Sequence, residues 1–192
     1  MPEFQKNLIV AGWLSLAMAA FLFFCGHAGA AAENLRPETS ASPETLNQAA
    51  RSGPVPVHLY FGSTDGAYLI SETRAIGHPD DPIRMARAIL NALIGGPRGD
   101  LVRTIPASTP LRGIFIATDN VCFVDFGSAI RDHHPGGCRG EMLTVYSIVN
   151  SLIINIPSIK RVKLLIDGND TDSLAGHLNT QNPIPANMLI IR

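Results

Sequence analysis

Gly140-Glu141-Met142-Leu143-Thr144-Val145-Tyr146-Ser147-Ile148-Val149-Asn150-Ser151-Leu152-Ile153-Ile154-Asn155 reads as a helix with almost no charge. Glu141 and the Tyr146 phenol are its only ionisable groups, and the next charge along the chain is Lys160. Apolar residues recur at 142, 145, 146, 149, 152, 153 and 156, the spacing of a helix buried along one side. The opposite side carries Thr144, Ser147, Ser151 and Asn155. A helix face in water normally shows Lys, Glu or Arg, because charge costs least there. A face of small uncharged polar groups suits packing, either on the domain's own sheet or against a partner. These four residues are the candidate interface, and the pattern points to a module that binds rather than one that reacts.

The flanking sequence supplies strands and a second helix. Val55 to Phe61 alternates and is β-rich, Asp65-Gly66 signals a hairpin, and Ala67 to Ile76 is the return strand. Asp81-Pro82 starts a helix, with Asp as N-cap and Pro at the first helical position. Its expected buried stripe is Ile83, Ala86, Leu90 and Leu93, and Gly95-Gly96-Pro97 stops it. Leu111 to Ala117 and Val121 to Phe126 pair around Thr118-Asp119-Asn120. Asp132 to Gly140 is a loop, Arg161 to Ile166 a strand, and Met188 to Ile191 a last short one. Helices set among strands in this order give an α+β fold, a small sheet with two helices packed on one face.

Residues 1–32 form a signal peptide or an N-terminal membrane anchor. Leu8 to Cys25 is an 18-residue run without charge behind Lys6, and Ala28-Gly29-Ala30 offers a small-x-small cleavage site. Cleavage and retention both fit, and both send the rest of the chain across a membrane. Phe24 ahead of Cys25 is the wrong residue for a lipoprotein signal. Residues 33–54 are a flexible linker, rich in Pro, Glu, Ser and Thr, and the domain spans 55–192. Cys122 and Cys138 remain as an even pair in an exported domain, which predicts a disulfide. A net charge of -1 argues against nucleic acid as partner.

No catalytic or metal set stands out. His133, His134 and Cys138 lie near Asp125 and Asp132 in sequence, but adjacent His residues on a loop point apart. Ser128 lacks the Gly-x-Ser-x-Gly elbow of a hydrolase. Gly95-Gly96-Pro97-Arg98-Gly99 follows a helix instead of preceding one, so it is a helix stop and not a phosphate cradle. Asp167 to Asp172 lacks the Gly and distal Glu of a calcium loop and reads as a polar turn. Arg161 and Lys163 share one face of their strand, where solvation accounts for them. No cofactor is expected.

Several pieces in order resemble a known family. They are Leu93-Ile94-Gly95-Gly96-Pro97, Thr104-Ile105-Pro106-Ala107-Ser108-Thr109-Pro110-Leu111, Val124-Asp125-Phe126 and Glu141 to Gly168. The specific part is Leu143 to Ser151 followed by Pro157, Val162 and Asp167-Gly168. Together they resemble the GerMN domain, the sporulation and spore germination module of bacteria, over Val55 to Arg192. The resemblance implies a small fold similar to the ring-building motifs of secretion-machine proteins. It implies a lipoprotein or membrane-tethered setting and a role in assembling envelope complexes, with no established catalytic activity. The chain departs from the family in having one such domain instead of a tandem pair, and in its Cys122/Cys138 pair, so sporulation itself is not implied. The expectation is a non-enzymatic module, periplasmic or otherwise extracytoplasmic, that binds or scaffolds a complex. Its partner would be an envelope protein or the cell wall, with the membrane reached through residues 8–25 if they are kept. The alternative is a cell-wall hydrolase or an accessory to one.

Overall fold

The computed structural model describes residues 53–77 and 79–192. The expected leader or anchor over 1–32, its apolar run 8–25 and the expected linker as far as residue 52 lie outside them.

Strands β1 (Val55–Gly62) and β2 (Leu69–Ile76) form an antiparallel hairpin that is a sheet by itself. Ser63 Oγ accepts from the backbone N–H of Ala67 at 3.1 Å and Tyr68 at 3.2 Å, and Gly66 takes a φ of +65°, so the Asp65-Gly66 signal sits inside a longer loop. Helix α1 (Pro82–Gly95) starts as its sequence dictates, with the Asp81 carboxylate accepting from Ile83 N at 3.3 Å and Arg84 N at 3.2 Å. Its buried residues are Ala86, Ile89, Leu90 and Leu93, with Ile83 only half-buried. Gly96, at a φ of +87°, ends it.

Strands β3 (Leu111–Ile116) and β4 (Val121–Phe126) form a second hairpin. A short helix α2 (Ala129–Asp132) precedes the loop, which is shorter than the expected Asp132 to Gly140 because the next helix already begins at Cys138. Helix α3 (Cys138–Asn155) then crosses over to β5 (Arg161–Ile166), which pairs parallel with β4. The two-residue β6 (Asn169–Asp170) completes a sheet of order β3-β4-β5-β6. Met188–Ile190 is a 3-10 turn and not the expected strand, with one bridge from Ile191 to Leu69. The α+β class is borne out.

One core fills the space between the inner face of this sheet, the two long helices and the inner face of β1. Cys122, Val124 and Phe126 of β4 meet Ile89, Leu90 and Leu93 of α1, Val145, Ile148 and Leu152 of α3, and Leu59 and Phe61 of β1. A second cluster joins Tyr60 and Leu69 to Leu143 and Ile190. Helix α3 lies between both clusters, and from Glu141 to Ile156 none of its residues is exposed.

The polar stripe of α3 faces β1. Hydrogen bonding within the hairpin leaves the backbone groups of His58, Tyr60 and Gly62 pointing away from β2. Asn155 Oδ1 accepts from His58 N at 2.9 Å, and Asn155 Nδ2 donates to His58 O at 2.7 Å. Ser151 Oγ accepts from Tyr60 N at 3.0 Å, and Ser147 Oγ donates to Tyr60 O at 2.6 Å. Gly62 exchanges both its bonds with Val102. The geometry matches because four residues of helix rise about 6.0 Å, close to the roughly 6.6–6.8 Å of two residues of strand. Asn155 and Ser151 therefore step from His58 to Tyr60 along the antiparallel strand, and Ser147 takes the carbonyl of the same Tyr60 whose N–H binds Ser151.

Ser147 tests this arrangement. Ser147→Ala strands a buried carbonyl and should lower stability by about 1–3 kcal/mol. Ser147→Lys buries an unpaired charge and should lower it by about 3–5 kcal/mol. Denaturant titration of both variants measures this, and a Lys variant as stable as the parent would contradict the packing.

Candidate functional site

The structure corrects the first interface reading. Thr144, Ser147 and Ser151 are at most 1 % exposed, and Asn155 is half-buried and bound to His58. These residues hold the molecule's own backbone and present no face to a partner. Thr144 belongs to the same set. Its hydroxyl donates to Thr104 O at 2.6 Å and lies 2.9 Å from His134 Nε2. Gly136 N donates to His134 Nδ1 at 2.9 Å, which places the ring proton on Nε2, facing Thr144.

The predicted disulfide is also corrected. Cys122 and Cys138 are both free thiols, the first buried and the second exposed. The reason is topological. A helix crossing between two parallel strands runs antiparallel to them. Cys138 opens α3, and so lies at the end of the sheet away from Cys122, the second residue of β4. Burial pushes the Cys122 thiol up to about 12, so it stays protonated and packs as a small apolar group.

The other residues weighed in the sequence do not converge. Asp125 accepts from Arg112 Nε at 3.2 Å and from Gly168 N at 2.8 Å on the outer face of the sheet. His133 Nδ1 lies 2.7 Å from Ser108 Oγ, and Asp132 pairs with Arg131. Among the described residues no group of three or more His, Cys, Asp or Glu is placed to hold a metal ion. Lys163 differs from its solvated reading. It is 4 % exposed, donates to Thr180 O and Gln181 O, and pairs with Asp170 at 3.1 Å.

Glu141 is the residue whose role the sequence did not disclose. It is fully buried, and its carboxylate accepts from the backbone N–H of Leu174 (2.8 Å), Ala175 (2.8 Å) and His177 (2.7 Å). Asn150 works similarly, exchanging two 2.9 Å bonds with the backbone of Asn187. One helix thus fastens β1, the Thr104 segment and the C-terminal tail.

An accessible groove lies at the N-terminal end of α3. A groove of about 230 Å³ runs between Gly62 and Ser63 at the hairpin tip, Val102 to Thr104, Pro135, and Arg139 to Thr144. Its walls are mainly apolar, with Arg103 and Arg139 on them. The Arg103 guanidinium is bound to the last carbonyls of α1, Ile94 and Gly95. Beyond Arg139 a shallower depression is lined by Tyr68, Met142, Leu189 and Arg192. Val102, Met188 and Leu189 are exposed apolar residues, Leu189 at 89 %. Together they make a surface of the composition that interfaces use, apolar with arginine at its margin.

Residues 58–172, more than half of the chain, match the Germane family, described as sporulation and spore germination. The chain belongs to this family. Solved structures agree with the Germane assignment in fold. A Clostridium perfringens protein described as a lipoprotein is 25 % identical, with a TM-score of 0.50, over 69 % of this chain and 88 % of that one. The first GerMN domain of the sporulation protein GerM from Bacillus subtilis is 22 % identical, with a TM-score of 0.55, over 70 % of this chain and 98 % of that one. The tandem GerMN protein is 20 % identical with a TM-score of 0.50, and this chain spans 45 % of it. No curated protein matches. The GerMN resemblance carried by Leu143–Ser151 is borne out.

The Glu141 carboxylate predicts a pH dependence of this protein's stability. Burial works to raise its carboxyl, but the N–H groups of Ala175, His177 and Leu174 outweigh that and hold it below the usual glutamate value of 4.5. A lowered carboxyl contributes stability above its unfolded value and loses it as pH falls. The melting temperature should therefore drop more steeply between pH ~5.5 and ~3.5 in the parent than in Glu141→Gln, which has no such proton to gain. Parallel slopes would show that the carboxylate contributes nothing.

Proposed function

We propose that this protein is a non-enzymatic cell-envelope module that binds or scaffolds a protein complex outside the cytoplasmic membrane. The observation that carries the reading is the pairing of a sealed interior with an open apolar surface. The Ser, Thr, Asn and Glu side chains of α3 are committed to backbone partners. The groove at its N-terminal end offers Val102 and Leu143, and the depression on the other side of Arg139 offers Met142 and Leu189. Membership of the Germane family supports a part in assembly, and the description of the Clostridium perfringens relative as a lipoprotein supports an extracytoplasmic, membrane-associated setting. The partner is a protein of the same compartment that brings an apolar side chain with acidic neighbours to the Arg139 margin.

Site-specific photo-crosslinking in intact cells tests this. A crosslinker at Leu189 or Val102 should give one and the same adduct, and one at the exposed Arg87 of α1 should not. Leu189→Asp should abolish the adduct from Val102 while leaving the melting temperature unchanged, since Leu189 packs against little. No adduct from either position would sink the binding surface. Wall-hydrolase activity that vanishes in His133→Ala or Asp125→Ala would overturn the non-enzymatic reading.

A further inference from the structure

The groove at the start of α3 has a wall that a histidine holds in place. The wall is the loop Pro135-Gly136-Gly137 between α2 and α3, with Pro135 on the groove. Gly136 and Gly137 both take the left-handed backbone, at φ of +81° and +80°, and no side chain caps the helix start they lead into. A pair of glycines is a pliable link, so the position of this wall depends on what it is bonded to. His134 supplies the bond. Its half-buried ring lies outside the groove lining, with Nδ1 accepting from Gly136 N at 2.9 Å and Nε2 2.9 Å from Thr144 Oγ1. Thr144 donates in turn to Thr104 O at 2.6 Å. Pro135, Thr144 and Thr104 all line the groove, so one imidazole joins its loop wall to its helix wall and to the Thr104 segment.

That bond exists in one protonation state only. A neutral imidazole has one acceptor and one donor, and here both are used. A second proton turns Nδ1 into a donor facing the Gly136 N–H, and the bond to the loop is lost. Nε2–H keeps Thr144 in either state, so the loop comes free and the helix does not. The charged and titratable groups on the surrounding elements are Arg131 and Asp132 of α2, His133 after it, Arg139 and Glu141 of α3, and Arg103. Burial is the largest influence on the ring and holds it below the usual histidine value of 6.5, against the opposing pull of the Glu141 carboxylate and the Gly140 backbone. Once the loop is released the ring regains its ordinary value. The bonded wall is therefore at full strength above pH ~6.5 and weakens as pH falls below it.

We propose that His134 is an acid-sensitive latch on this groove. Neutral, it holds the wall at 135–137 in the shape that takes a partner's apolar side chain. Protonated, it frees the wall and the partner leaves. This regulation rests on the binding role proposed above. On the proposed outer side of the membrane the domain meets the pH of its surroundings, and histidine is the side chain that titrates in that range.

Two measurements separate the latch from the binding role. The first needs no partner. In the full chain in detergent, carrying isotope-labelled glycine, the Gly136 amide signal should move as pH is lowered from ~7.5 to ~5, and its protection from exchange should fall. Glu141, held below 4.5, keeps its charge over this range. The transition should persist in His133→Asn. It should vanish in His134→Asn, whose Oδ1 stands in for Nδ1 as acceptor but takes no proton. A Gly136 signal unmoved by pH in the parent, or moved equally in His134→Asn, overturns the proposal. The second measurement uses the photo-crosslinker at Val102 in intact cells. Its adduct should fade several-fold at pH ~5 in the parent and persist in His134→Asn. An adduct that persists equally in the parent overturns the latch and leaves the binding role standing. An adduct missing at every pH, with Gly136 still titrating, overturns the binding role and with it the release of a partner.

Discussion

The hydrogen bonds from the polar stripe of α3 to the edge of β1 are the constraint on which this fold depends. Strand edges are normally completed by another strand. Here an α-helix does it, because its four-residue rise nearly equals the two-residue rise of a strand. The match holds from Asn155 to Ser151, and Ser147 completes the carbonyl of Tyr60. It fixes the hairpin against the β4–α3–β5 unit, so two separate sheets share one core. It also explains why the stripe holds Ser and Asn. Only short side chains bring the helix close enough, and only donor–acceptor groups satisfy both N–H and C=O.

The same principle extends along the rest of the helix. Glu141 gathers the N–H groups of the 174–177 loop, Thr144 holds Thr104, and Asn150 holds Asn187. Segments far apart in sequence are tied to one rod by polar contacts, and the apolar residues between them fill two clusters. The polar stripe is thereby occupied, and the open surface of the helix lies at its first turn, where Arg139 lines a groove. Under the proposed function the binding surface is the groove lined by Val102 and Arg139 and the depression beside Leu189.

Much of this was legible in the sequence. Asp81-Pro82 and Gly95-Gly96 bound α1 to the residue, and the turn at Asn120, with its φ of +64°, separates β3 from β4 as read. The absence of charge across residues 142–155 correctly signalled a helix packed against something. What it packed against was not legible, since hydroxyls and amides satisfy a strand edge and a foreign surface equally well. Glu141 was hidden for a similar reason. A lone acid at a helix start reads as favourable to the dipole, and only the return of the chain at Leu174–His177 makes it a buried anchor. The Cys122/Cys138 pairing failed because parity of cysteines carries no information about which end of a crossover each occupies. Lys163 was misjudged because the segment that covers it arrives from residues 170–181, too far along the chain for strand alternation to report.

Amide hydrogen exchange at His58 and Tyr60 tests the helix-capped strand edge most directly. The account predicts that both amides are protected to the level of their inward-bonded neighbours Leu59 and Phe61. It predicts that Ser151→Ala accelerates Tyr60 alone and Asn155→Ala accelerates His58 alone. Exchange of both amides at the rate of an unstructured peptide in the parent protein would contradict it.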